Sequence, residues 1–398
     1  MYTATFIFFV ILVIEAVCLV YTKFVKKQEA KPYAIDIGYV KKAVTLRKAV
    51  LSLVMRHYMI HDANLGYRMG TDRKPFRLLK KIPGSKRFRE IKVKNFFEIR
   101  TDNQGFICNK IGQQRDYKKI ANDDTIYKIL VVGNSVTAGY GVKSGEYSWP
   151  ALLEKKLNQN NEFLEGNYKS IVVINSAALG YQISQEFKKF VDDDIYLNPN
   201  LVIAFSGGLI EYDFNGSPKD IALHEEQKKM QYRCNHPWLV RQKLFLQNTV
   251  GFIKQRCYVK KENITGEVKI SASDLMSQRI KQFAGVCWAN NINFIFCLQP
   301  GMGVGKKDLT TEEKGYINNF NRYFFNQEWD EYLRICKNYI NDLNKKMTQE
   351  SSFYSLVDIF QGIKETTYCD PRHQNELGHQ LICDKIFDII KSKKFKTK

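Results

Sequence analysis

Nine cysteines are spread over 398 residues, from Cys18 to Cys383, with no C-x-x-C pair and an odd total. Such spacing suits a reducing compartment better than a disulfide framework. Histidine is scarce. His57, His61, His224 and His236 stand in no ligand spacing with cysteines or acids, so neither a metal nor any other cofactor is expected. The stretch "PGMGVGKKD" lacks the G-x-x-x-x-G-K-[ST] spacing of a phosphate loop. There is no internal repeat and no low-complexity tract. Acidic residues are outnumbered, 41 against 61 Lys and Arg, for a formal charge of +20. The excess is local: residues 23–100 hold 21 Lys/Arg against 6 Asp/Glu, or +15 of the +20. No helix-turn-helix, zinc or RNA-binding signature accompanies that charge, so nucleic acid is not the expected partner.

What precedes the basic segment points to another partner. "ATFIFFVILVIEAVCLVYT", residues 4–22, is a 19-residue run with the single charge Glu15, long enough to cross a bilayer core. No positive charge leads it and no small-residue cleavage site follows, which predicts an uncleaved, single-pass transmembrane anchor. Lys23, Lys26, Lys27, Lys31, Lys41 and Lys42 lie after the run, so the positive-inside rule favours a cytoplasmic position for the rest of the chain. Apolar residues at helical spacing among cations in Tyr39–Met59 allow two readings: a helix along an anionic membrane face, or one packed on the following domain. The stretch from Thr71 to Lys94 reads as a linker or a phosphate- or lipid-facing surface.

From about Asp123 the pattern changes. Apolar, β-rich runs recur at "IYKILVVG", "KSIVVINSA", "NLVIAFSGG" and "NINFIFCLQP", separated by helical patterns such as "YSWPALLEKKLN" and "YQISQEFKKFVDDD". Strands alternating with helices predict a mostly parallel sheet covered on both faces, a three-layer α/β/α domain. Residues 212–271 read as an insertion between two strands. The organisation expected is therefore a transmembrane helix at 4–22, a basic juxtamembrane region at 23–121 and the α/β domain at 122–393.

Ser135 stands where the first of these strands breaks, among Gly133, Asn134, Gly139 and Gly141. A hydroxyl carried past the C-terminal edge of a strand faces the crevice where open α/β sheets bind ligands. A nucleophilic serine needs a base, and the base an orienting carboxylate. Near the C-terminus, "CDPRHQNELGHQLICDKIF" supplies Asp370 and His373 three residues apart, ahead of Gly378, His379 and a closing amphipathic helix.

These motifs together resemble the SGNH (GDSL-type) hydrolase superfamily. Its first block is matched by Gly133-Asn134-Ser135-Val136-Thr137-Ala138-Gly139, with Asn where many members have Asp. The second is matched by Gly180 in "VVINSAALGYQISQEF", and the last by Asp370, His373, Asn375, Gly378 and His379. The resemblance runs from about Asp123 to Ile390 and implies a flavodoxin-like three-layer fold. It also implies a catalytic triad of Ser135, His373 and Asp370, with an oxyanion hole from the backbone amides of Ser135 and Gly180. The third block departs: in "NLVIAFSGGLIEYDF" Ile210 occupies the place of an asparagine whose amide helps bind the oxyanion. The implied activity is that of an esterase or deacetylase on acyl or acetyl esters of a lipid or glycan near the membrane. The same triad serves an O-acyltransferase, and Ile210 leaves open a non-catalytic glycan- or lipid-binding relative.

Overall fold

The structure, a computed structural model, describes residues 57–62, 64–75, 79–81, 88–90, 98–160, 168–207, 271–323 and 329–393. The apolar run 4–22, most of the basic segment, Ile210 and the expected insertion after it lie outside the described residues. Among the described residues no helix is long and apolar enough to cross a membrane. The strands are β1 (Met59–Asp62), β2 (Gly66–Met69), β3 (Leu79–Lys81), β4 (Phe88–Glu90), β5 (Ile126–Gly133), β6 (Ser170–Asn175), β7 (Leu201–Ser206), β8 (Asn293–Leu298) and β9 (Phe353–Ser355). The helices used below are α1 (Tyr117–Ala121), α2 (Trp149–Asn158), α3 (Ile183–Asp192), α4 (Ala272–Ala289), α5 (Thr311–Tyr323), α6 (Trp329–Lys346) and α7 (Glu376–Lys393).

Five strands form one parallel sheet in the order β6-β5-β7-β8-β9. Counted along the sheet's own strands this is 2-1-3-4-5, the doubly wound order in which ligands bind beyond the carboxyl ends, where the chain switches direction across the sheet. The switch falls at β5, between β6 and β7, so the turn after β5 occupies that crevice. All six side chains of β7 (LVIAFS) are buried. Because successive side chains point to opposite faces, a strand buried throughout is covered on both. Adjacent residues show the two covers. Phe205 meets Trp149 at the start of α2, with ring centroids 5.3 Å apart. Ser206 donates instead to Glu186 Oε1 on α3, 3.0 Å away. Helix α2 packs with α7, whereas α4 packs with α3 and α6. Phe283 of α4 joins the second layer to the sheet, 4.9 Å from Phe190 of α3 and 4.9 Å from Phe294 of β8.

The four apolar runs read from the sequence correspond to β5, β6, β7 and β8. The three-residue edge strand β9 escapes a reading by pattern, being too short for periodicity. It is held by parallel pairing of Phe296–Leu298 with Phe353–Ser355.

The described parts of residues 57–75 and 98–121 belong to the same compact unit as the sheet, so that unit begins before residue 122. Their contacts explain it. Asn109 Nδ2 and an Arg115 guanidinium N–H both donate to Val173 O on edge strand β6, at 2.9 and 2.7 Å, and Arg115 pairs with Glu154 of α2 at 2.5 Å. The Ile107 amide donates to Asn175 O at 2.9 Å. A loop on a sheet edge satisfies groups that would otherwise template association. Tyr117 of α1 then donates to the buried Asp102 at 2.5 Å. The β3–β4 pair belongs to a second compact unit.

Candidate active site

The turn after β5 has no room for side chains at its entry. A Cβ on Gly133 would overlap Thr137 Oγ1 and come within 2.7 Å of Phe205 O. Asn134 folds back, its Oδ1 accepting the Val136 amide at 3.1 Å. Ser135 is therefore the first residue after the strand with a half-buried rather than buried side chain.

Ser135 Oγ lies 2.8 Å from His373 Nε2, bringing together residues 238 positions apart. On the other side, His373 Nδ1 lies 2.9 and 2.8 Å from the two oxygens of Asp370. With Asp370 ionised, Nδ1 carries the hydrogen and donates it, which leaves the Nε2 lone pair facing the serine hydroxyl. Asp370 Oδ1 also accepts the amides of Arg372 and His373, at 2.8 and 2.9 Å. Burial pushes the Asp370 carboxyl up, but the His373 ring and these hydrogen bonds outweigh it and hold the group below its ordinary value. The carboxylate thus stays charged beside the imidazole. An imidazole held this way can take the hydroxyl proton and return it to a leaving group.

The loop carrying Asp370 and His373 is anchored from beneath. The Cys369 amide donates to His373 O at 2.9 Å, closing the D-x-x-H turn. Glu313 of α5, fully buried, accepts the Thr367 and Tyr368 amides at 2.9 and 3.2 Å and pairs with Lys307 at 3.4 Å. Lys307 belongs to the glycine-rich stretch considered above as a phosphate loop, and in this structure it braces the histidine loop.

Three features of the site could not be assigned from sequence. The Tyr140 ring stacks on the His373 imidazole, centroids 3.8 Å apart and planes inclined by 27°. Gly141 has φ +102°, and a Cβ there would overlap Gln374 O and approach Cys369 Sγ to 2.8 Å, so only glycine lets the serine and histidine loops close. His379 does not precede the closing helix but lies in the first turn of α7, fully buried. Its Nδ1 accepts the Trp149 amide at 3.2 Å, and its Nε2–H donates to Tyr140 O at 3.3 Å. Burial lowers its pKa to about 4, the hydrogen bond to Tyr140 O opposing. The ring is therefore neutral, as one accepting and one donating nitrogen require. The G-H pair at 378–379 is visible in sequence; that its ring ties α2, α7 and the serine loop together is not.

Gly180 follows β6, beside the serine turn. Ala178 N donates to Gly133 O at 3.1 Å, and Asn175 Nδ2 to Thr137 O at 2.9 Å, so the two loops are laced together. Gly180 has φ +74° and is exposed. Hydrogen bonds bracket it: Tyr67 of β2 donates to Leu179 O at 2.9 Å, and Tyr181 donates to Tyr67 O at 2.6 Å. Among the described residues no cluster of His, Cys, Asp or Glu has the arrangement of a metal site.

No family model matches the chain, and no curated protein matches it. Solved structures do resemble it. The acetyl xylan esterase AlAXEase is 15% identical, with 66% of this chain and 99% of that chain covered and a TM-score of 0.36. An acetylxylan esterase from Geobacillus stearothermophilus, solved as a catalytic mutant, is 14% identical, with coverage of 68% and 95% and a TM-score of 0.37. TesA is 14% identical, with coverage of 67% and 98% and a TM-score of 0.35. At such scores the likeness decides neither fold nor activity.

Proposed function

We propose that this chain is a serine ester hydrolase of the SGNH (GDSL-type) kind, acting on acyl or acetyl esters of a lipid or glycan. The reading is carried by one observation, the continuous hydrogen-bonded series Asp370–His373–Ser135 at the switch point of a doubly wound sheet. Ser135 Oγ attacks the ester carbonyl carbon while His373 Nε2 takes its proton. The carbonyl π electrons move onto oxygen, where the backbone amides of Ser135 and Gly180 receive the charge. Collapse breaks the bond to the alcohol, which leaves with the proton held by His373 and yields an acyl-serine. Water, activated by the same imidazole, releases the acid and restores the hydroxyl. A sugar hydroxyl in place of water would make the same intermediate a transferase intermediate. Attachment through the apolar run 4–22, aided by the basic residues after it, puts the site near a membrane surface, and the flanking charges favour the cytoplasmic side.

The test is covalent labelling by a fluorophosphonate. Labelling of the full chain that is lost in Ser135→Ala and in His373→Ala supports the enzyme reading. Folded protein that takes no label supports the binding relative, which the aliphatic Ile210 favours.

A further inference from the structure

A hydrolase of the proposed kind whose third block carries Ile210 lacks one side-chain donor to the oxyanion. Among the described residues, another side-chain amide lies against the serine turn. Gln299 follows β8 at its carboxyl end, its amide donating to Ser206 O, the last residue of β7, at 3.1 Å. Its side chain reaches across the end of β7 to the serine turn, where Oε1 accepts from Asn134 Nδ2 at 3.0 Å. On the other side, Pro300 O accepts from Gln374 Nε2 at 3.0 Å, and Gln374 adjoins His373. Gln299 and Pro300 thus link the residue before the nucleophile to the residue after the base.

Its polarity is set by its neighbours. Asn134 Oδ1 accepts the Val136 amide, so the end of Asn134 facing Gln299 is the donor. The end of Gln299 facing Asn134 is then the acceptor, and Nε2 is the opposite end. Nε2 donates to no group among the described residues, although Gln299 is only 6% exposed. A donor left unbonded on a side chain that is held by the residue before the nucleophile is suited to a bond made only when substrate is present.

We propose that Gln299 Nε2 is the side-chain donor to the ester's carbonyl oxygen, and to the oxyanion it becomes, in place of the asparagine missing at position 210. The proposal rests on the esterase reading above. The test compares Gln299→Glu and Gln299→Met with wild type, as the full chain, for hydrolysis of p-nitrophenyl acetate and for melting temperature. Glutamate keeps an acceptor for Asn134 Nδ2 but removes the donor, whereas methionine removes both. Loss of an oxyanion donor lowers turnover by roughly 100- to 1000-fold. A fall in kcat of that order is expected in both variants, with KM within a few-fold and the melting temperature of Gln299→Glu close to wild type. If Gln299→Glu turns over like wild type while Gln299→Met loses both activity and stability, the residue only positions Asn134 and the proposal fails. If wild type itself cleaves no ester, the esterase reading fails and takes this inference with it.

Discussion

Closure of the serine loop on the histidine loop depends on the missing side chain of Gly141, which makes Gly141→Ala a sharp probe of the site. Two costs follow from the geometry. A residue with a Cβ held at φ +102° is strained by about 1–3 kcal/mol. The added methyl would overlap Gln374 O and sit 2.8 Å from Cys369 Sγ and 3.2 Å from Gln374 C, so the loops must part by roughly 1 Å to reach ordinary contact. Parting them lengthens the 2.8 Å approach of Ser135 to His373, and a misplacement of that size costs on the order of 100-fold in rate. Gly112→Ala is the control: φ is +73° there too, but a Cβ would meet nothing within 4 Å. Both variants should lose stability in denaturant melts, Gly141→Ala the more. Only Gly141→Ala should slow fluorophosphonate labelling and ester turnover, by about two orders of magnitude. Equal labelling rates in the two folded variants would refute the claim that loop closure sets the serine–histidine contact.

The buried His379 predicts a pH dependence. Its folded pKa of about 4 lies below the ordinary value of 6.5, so the unfolded chain binds the extra proton between these limits. The stability it contributes is present above pH 6.5 and is lost as pH falls towards 4, by on the order of 3 kcal/mol in all. Subtracting the pH–stability profile of His379→Leu from that of wild type should reveal that loss, and a flat difference would contradict it. Asp370 has the same sign: its contribution is present above its unfolded pKa and lost as pH falls through the lower folded one. Asp370→Asn should accordingly flatten the acid limb of the stability curve and cut kcat by up to about 10⁴-fold by leaving the wrong tautomer at His373; wild-type turnover in the folded variant would sink the orienting role. Tyr67→Phe should lower stability by about 1 kcal/mol through loss of its bond to Leu179 O. A fall in kcat without a rise in KM would show that β2 supports the Gly180 loop, and an unchanged kcat would show that it does not. Finally, Ile210→Asn in the Gln299→Met background should recover turnover if the two positions serve one oxyanion; a variant as slow as Gln299→Met alone would separate them.

The secondary structure that carries the site was legible because it is written locally. A run such as Ile129-Leu130-Val131-Val132, ended by Gly133 and Asn134, reads as a buried strand and a turn whatever surrounds it. The D-x-x-H spacing of Asp370 and His373 is likewise closed by bonds within five residues. The burial of Tyr58, Tyr67, Tyr117 and Asp102 was not legible, because single anchors among charges leave no periodic trace.

What sequence alone determined, then, was an α/β chain with a serine at a strand end, a D-x-x-H turn near the C-terminus and an apolar run near the N-terminus. Each depends on interactions among near neighbours. The tertiary structure decided the rest: the strand order that puts the β5 turn at the switch point, the meeting of Ser135 with His373, Tyr140 stacked on that ring, and the Gln299 amide brought against Asn134 over 165 positions. Those pairings exist only once the two helical layers have closed on the sheet, because their partners are fixed by the packing of whole elements and by glycines that admit backbone where a methyl would not fit.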